Sequence, residues 1–357
     1  ADRITEAVDY LNFRLTGRWA ASQLNAVCKY NFDPRAPESS ADLYRQLGIS
    51  RLADLLPGEV LPVGKPVGPL TGHVARELGL TRDVTVLQGG IDAHMALLGS
   101  GATGVGEALI TGGTSTVILT HASQRLTLTG VWGPYPDALL QGRWLVEGGQ
   151  VSAGSILDWL TKEIFDLDAG QHEALIEAAM RLPPAGTGLL TLDHWMGNRT
   201  PLRDPKLRGA ILGLSLGHGR TELYDSAVEA ICFGTKSCLD VFEAQGIRLK
   251  RLVATGGLCL NPFWLQTLVD VIGRPVQVAA EANLTLLAGA VTGLVDSGEF
   301  STLEAASAHV SGTRQTVDPR PEHSIAFEGL YSRYLETTRQ LTPTLHALAS
   351  NAVASGT

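Results

Sequence analysis

The sequence predicts an α/β protein built on a mixed or mostly parallel sheet. Short β-branched or apolar runs alternate with helical periodicities along the chain, the order that gives layered strands and helices. Four of these runs end in a glycine pair, at Gly89-Gly90, Gly112-Gly113, Gly148-Gly149 and Gly256-Gly257. Glycine there lets the backbone turn sharply or approach a ligand closely, and four such turns are expected to face one nucleotide. The 357 residues are 44% hydrophobic and only 18% charged, with 40 glycines. That is enough apolar material for a sizeable core in two domains and too little charge for a disordered chain.

The first 60 residues read as helices and loops, broken at Pro34, Pro37 and Pro57. Among them, Ala7, Val8, Leu11 and Leu15 recur at helical spacing and predict a helix over 4–15 that stops at Thr16-Gly17. Two valines and a leucine between turn residues make 84–88 a strand, and a small-residue helix over 93–98 follows. The runs at 108–111 and 117–120 flank Gly-Gly-Thr-Ser and predict a hairpin. Ile156, Leu157, Leu160 and Ile164 mark an amphipathic helix over 152–164. A longer helix over 221–244 is expected to kink near Gly234. Strand 252–255, helix 261–272, strand 276–279 and helix 284–297 come next, and 325–348 reads as a helix packed on the surface. Strand, Gly-Gly, helix occurs at both 84–98 and 252–272, as a duplicated fold with a nucleotide between its halves would produce. Glycines cluster at 101–106, which divides the chain into 1–106 and 107–357.

Bulk properties exclude several classes. The net charge is −8 without a Lys/Arg cluster, so no nucleic-acid partner is expected. The longest apolar stretch, 282–295, is too short and too interrupted by glycine to span a bilayer, so no membrane partner is expected. No signal peptide opens the chain as written, and Cys28, Cys232, Cys238 and Cys259 fit neither a metal spacing nor a disulfide scaffold. They read as reduced core thiols of a cytoplasmic protein. The chain starts at Ala1 and runs directly into a helix, so residues upstream are expected in the natural protein.

Three motifs carry chemistry. In Gly89-Gly90-Ile91-Asp92 a carboxylate follows a strand-ending turn at a helix start, where the helix dipole favours its ionised form; a plain N-cap reads equally well. Gly112-Gly113-Thr114-Ser115 in a tight hairpin offers amides and hydroxyls to phosphate oxygens, or is an ordinary turn. Gly256-Gly257 running to Asn261 is a nucleotide shelf or a turn with Asn261 as cap. Gly99-Ser-Gly101-Ala-Thr-Gly104 matches a dinucleotide fingerprint but follows a helix and lacks the acidic residue downstream, which weighs against an NAD-dependent dehydrogenase. A P-loop is absent.

Taken in order, these motifs resemble the FGGY family of carbohydrate kinases. The likeness rests on Gly89-Gly90-Ile91-Asp92 with Gly99, on Gly113-Thr114-Ser115, and on Gly256-Gly257 with Asn261, Gln266 and Asp270. Gly273-Arg274-Pro275-Val276, Glu281 and Ala288-Gly289-Ala290 continue it. Within the family, 130–135, Glu147-Gly148-Gly149-Gln150, 197–201 with Asp204 and Arg208-Gly209, and 27–30 are similar to pentulose kinases of the ribulokinase type, with xylulokinases next.

The resemblance implies an actin-like (ribonuclease H-like) two-domain ATPase fold, with 1–106 as the later part of domain I and 107–357 as domain II. It implies ATP with Mg2+ in the cleft and a ketopentose such as D-ribulose, or a related sugar or polyol, as acceptor. Asp92 would be the general base and would meet the metal indirectly, through Mg-ATP. Gly113, Thr114 and Ser115 would hold the transferring phosphoryl group. Gly154 and Asp158 would line the nucleoside, Gly256, Gly257 and Asn261 the adenine side, and Trp132 and Arg199 the sugar. The family's opening Asp-x-Gly-Thr motif has no counterpart near the start of this chain. The first domain is therefore expected to be incomplete, by on the order of 100 residues or more. A catalytically weak ATP-binding module of the same family is the competing expectation, and a homodimer is left open.

Overall fold

The computed structural model describes residues 2–354. Helix α1 is Ala7–Thr16 and α2 is Asp92–Gly99. Strands β1 (Glu107–Gly112), β2 (Thr116–Ala122), β3 (Trp132–Pro136) and β4 (Trp144–Gln150) follow. Then come α3 (Gly154–Asp158), α4 (Ala169–Ala179), α5 (Arg220–Ala244), β5 (Arg251–Thr255), α6 (Pro262–Ile272) and β6 (Val276–Ala279). The chain continues through α7 (Leu284–Asp296), α8 (Leu303–Val310), β7 (Thr313–Val317) and α9 (Pro321–Ala354).

The seven strands form one mixed sheet in the order β7-β6-β5-β1-β2-β4-β3. β5 pairs parallel with β1 and β6, and β5, α6 and β6 make a βαβ crossover; the other pairs are antiparallel. β1 and β2 form the expected hairpin, with Gly112 opposite Thr116. Side chains alternate between the two faces of a strand. Ala108, Ile110 and Ile118 enter a core covered by α5, α6 and α9, while Leu109 and Leu119 enter a second core under α2, α7 and α8. Leu24 and Val27, from the helical opening segment, join this second core.

The strand expected at 84–88 is present as Thr85–Leu87 and pairs with Pro66–Pro69 in a two-stranded ladder apart from the main sheet. Three other expectations are corrected. α5 runs through Gly234 without a break. A Cβ there would lie 2.3 Å from Asp193 Oδ2 and from Gln150 Nε2, so the glycine admits a buried polar contact rather than a kink. The last helix is not a surface appendage, since Phe327, Tyr331, Tyr334 and Leu345 are buried in the first core. The helix expected over 152–164 begins as α3 and widens to a π-helix over Trp159–Ile164. Gly99, which suggested a dinucleotide fingerprint, instead lets α2 meet α7, because a Cβ there would fall 2.0 Å from Leu284 O.

Candidate active site

The Gly113–Ser115 turn joins β1 to β2 and sits against the start of α3. Gly113 O accepts from Gly154 N at 2.9 Å. Thr114 O accepts from Ala153 N at 2.9 Å, Ser155 N at 3.2 Å and Ser155 Oγ at 2.9 Å. In a trans peptide the N–H points opposite to the C=O. The amides of Thr114 and Ser115 therefore point away from α3. Backbones crowd here. A Cβ on Gly154 would meet Gly113 O at 2.6 Å, and one on Gly256, at φ +88°, would meet Gly112 O at 2.5 Å. Two of the four glycine pairs thus come together.

Beside this crossing lies a cleft of about 380 Å³ lined by Gly113, Thr114, Gly154, Asp158, Gly257 and Asn261. The volume is in the range of small-molecule sites. Asn261 does two things at once. Its Oδ1 accepts from Trp264 N at 3.1 Å, capping α6, and its Nδ2 donates to the Tyr224 hydroxyl at 2.9 Å on the cleft wall. Burial pushes that hydroxyl up to about 12. His172 and Trp264 also line the cleft, and their ring atoms His172 Nε2 and Trp264 Nε1 are buried with no hydrogen-bond partner in the described structure. Orphaned polar atoms beside a glycine cradle fit a polar, phosphate-bearing ligand.

Trp132 and Arg199 belong to a second cluster, on β3, β4 and the loop after 193. The Arg199 guanidinium lies 4.4 Å from the Trp132 ring centre, and Arg203 covers the same ring at 5.2 Å. Arg199 Nη2 also pairs with Glu147 Oε1. The other Glu147 oxygen takes His94 Nε2 at 3.0 Å, and Cys28 Sγ is 3.9 Å from His94 Nδ1. Burial alone would raise the Glu147 carboxyl, but the contact and charge of His94, with those of Arg199, hold it below the usual carboxylate range. Asp92 is the first residue of α2 and is exposed; its Oδ1 accepts from Ala93 N at 2.8 Å. Its carbonyl accepts from Thr285 Oγ1 at 3.1 Å. Since His94 is tied to Glu147, the start of α2 is fixed against β4. Asp92, Ser115, Gly256, Trp132 and Arg199 lie outside the lining of the cleft.

Among the described residues no group of three or more His, Cys, Asp or Glu side chains is arranged to hold a metal ion. A Mg2+ held mainly by nucleotide phosphates needs no such group. The four cysteines are all free thiols.

A family model for the C-terminal domain of the FGGY family of carbohydrate kinases matches residues 108–296. The chain belongs to the FGGY family. It is 30% identical over 353 residues to a ribulokinase of Halalkalibacterium halodurans, covering 94% of this chain and 62% of that protein. A ribulokinase of Shouchella clausii is 32% identical, with 94% and 63% covered. An FGGY carbohydrate kinase domain-containing protein of Homo sapiens is 30% identical, with 92% and 66% covered. The chain thus spans less than two thirds of the length of these relatives. The solved xylulose kinase from Lactobacillus acidophilus superposes with a TM-score of 0.85 at 20% identity, over 98% of this chain and 70% of that one. That from Rhodospirillum rubrum gives 0.83 at 23% identity, over 97% and 69%. The fold is therefore the actin-like ATPase fold of these kinases.

In this FGGY chain, sequence reasoning missed His172 and Tyr224, set His94 aside as a helix-start neighbour of Asp92, and quoted Trp264 and Glu147 only as parts of longer stretches. Glu147 and His94 are 53 positions apart, and nothing local signals their pairing. The signal within reach was the spacing of His94 from Asp92. A short helix that opens on an exposed carboxylate and carries a buried imidazole two residues later has that imidazole free to tie it elsewhere. Among the described residues no helix is long and apolar enough to cross a membrane.

Proposed function

We propose that this chain carries the nucleotide cleft and the catalytic base of an ATP-dependent kinase acting on a ketopentose such as D-ribulose, or a related sugar or polyol. The observation that carries this reading is the convergence of Gly113, Thr114, Gly154, Gly257 and Asn261 on one cleft beside a backbone crossing that admits only glycine. The preference for a ribulose-like acceptor rests on the curated ribulokinase relatives; the xylulose kinase structures bear on the fold. When bound, Mg-ATP supplies the transferable phosphoryl group. The outward amides of Thr114 and Ser115 stabilise charge on it, in the way phosphoryl transfer generally depends on positioning and electrostatics. The Asp92 carboxylate takes the proton from the acceptor hydroxyl. Glu147, held by His94 and Arg199, orients the acceptor, with Trp132 beneath the Arg199 guanidinium as an apolar wall.

The test is a coupled assay of ADP release with a panel of pentuloses, hexuloses and polyols, run with a fluorescent-nucleotide titration. A ketopentose is expected to stimulate release. Asp92→Asn should lower kcat by roughly 10²–10⁴-fold while leaving nucleotide affinity unchanged, the pattern of a group acting only in the transition state. Turnover by Asp92→Asn close to that of the wild type would remove the base from the scheme. Because the chain spans under two thirds of its relatives, nucleotide binding without sugar-dependent turnover would favour a catalytically weak ATP-binding module.

A further inference from the structure

α5 carries two carboxyl groups one turn apart, Asp225 and Glu229, only 4% and 2% exposed. Acidic side chains are almost never buried this deeply unless paired. Glu229 Oε1 accepts from the Ala185 amide at 2.9 Å. Asp225 Oδ2 is sealed from solvent and has no hydrogen bond in the described structure. Both side chains line a cavity of about 50 Å³, distinct from the nucleotide cleft. That is room for a small ion, since a cavity needs only about 10–15 Å³ of such space to hold a water molecule.

The surroundings favour a cation. Gln266 commits its Nε2 to Asp270 Oδ1 at 2.9 Å and to Asp318 O at 3.1 Å, so its carbonyl oxygen is the group left for the cavity. The positive groups at the rim are already engaged. Arg320 holds Asp270 Oδ2 through Nε at 2.9 Å and Nη2 at 2.5 Å, and His323 Nδ1 is 3.5 Å from the same oxygen. The residues that follow α4 bring only Met180, Leu182 and Pro184 to the wall. Three carboxyl groups thus face one guanidinium and one imidazole. Burial, with the charge of Glu222, pushes Asp225 up to about 7, and burial with the charge of Asp225 pushes Glu229 upward. A bound cation would relieve the cost of ionising them.

We propose that this cavity is a monovalent-cation site, taking potassium, sodium or ammonium against the Asp225 and Glu229 carboxylates. Two carboxylates and the Gln266 carbonyl oxygen are too few ligands for a hard divalent ion. Calcium takes six to eight oxygens and magnesium a near-ideal octahedron. The site backs onto the nucleotide cleft, for Asp225 follows Tyr224 and Phe263 precedes Trp264, and Tyr224 and Trp264 line that cleft. Cation binding itself does not depend on the kinase reading.

The experiment compares thermal unfolding in potassium, sodium, ammonium and choline chlorides at equal ionic strength, above and below pH 7. At least one of the three small cations should raise Tm by roughly 2 °C or more over choline above pH 7. The shift should fade as pH drops and the carboxyls protonate, and it should be absent in Asp225→Asn and Glu229→Gln. Equal Tm in all four salts, or a shift retained by Asp225→Asn, overturns the site. Titration calorimetry on the wild-type chain needs no variant, and the absence of saturable heat with any of the three ions overturns it equally.

Discussion

At the scale of single residues, Glu147 links the parts of the candidate site. Its two oxygens are taken by His94 from α2 and Arg199 from the loop after 193, with only 14% of its side chain exposed. Its pKa is held below the ordinary value of 4.5 because these partners outweigh its burial. A carboxylate with a lowered folded pKa contributes stability that is complete above the unfolded pKa and is lost as pH falls through the folded one. Glu147→Gln should therefore lower the urea midpoint near neutrality, and the gap to wild type should close progressively below about pH 4.5. A gap that persists unchanged into acid would mean that the charge of Glu147 contributes nothing to the fold. The turn at Gly113–Ser115 was readable from the sequence, because a hairpin turn is written in adjacent residues. The Glu147 cluster was not, because it joins three distant segments whose meeting depends on the whole sheet.

At the scale of elements, the same contrast between local and distant information decides what could be read in advance. The β1–β2 hairpin, β5, α6, β6 and α7 all appear within a few residues of their expected places, because periodicity and turn residues bound each of them. β4 was harder, since Gly148-Gly149 inside the strand reads as a turn that ends it. β3 holds Gly133-Pro134, and β7 is a largely exposed edge strand, Thr-Arg-Gln-Thr-Val, with no apolar alternation. α5 gives the clearest element-level test. Gly to Ala in a helix interior normally adds about 1 kcal/mol of stability. At Gly234 the added methyl would strike the buried network in which Gln150 Nε2 donates to Asp193 Oδ2 at 2.7 Å and Tyr334 OH donates to Asp193 Oδ1 at 2.6 Å. That network joins β4, α9 and the 193 loop around α5. Steric cost exceeds propensity here, so Gly234→Ala should destabilise by roughly 1–3 kcal/mol in urea denaturation. A variant as stable as wild type would show that the network can shift without loss.

At the scale of the whole molecule, the division into 1–106 and 107–357 cuts the chain between α2 and β1 but leaves one core shared. Leu109, Leu119 and Val253 on the sheet, with Leu284, Ala288 and Val291 on α7, pack with Met95, Leu97 and Leu98 of α2 and with Leu24 and Val27 further back. Removing 1–106 would uncover that face of the sheet. Exposed apolar patches larger than a few hundred Å² are rare on soluble monomers and drive association. The opposite face, with Phe233, Phe242, Leu268 and Tyr334, lies wholly within 107–357 and keeps its cover. A fragment of 107–357 is therefore expected to retain its helical far-ultraviolet signal, bind a hydrophobic dye strongly, and associate or unfold at lower urea than the full chain. It should recover monomeric behaviour when 1–106 is supplied. A fragment that is monomeric, dye-silent and as stable as the full chain would show that the two parts fold independently, and that the α2–α7 contact is an interface between domains rather than a core.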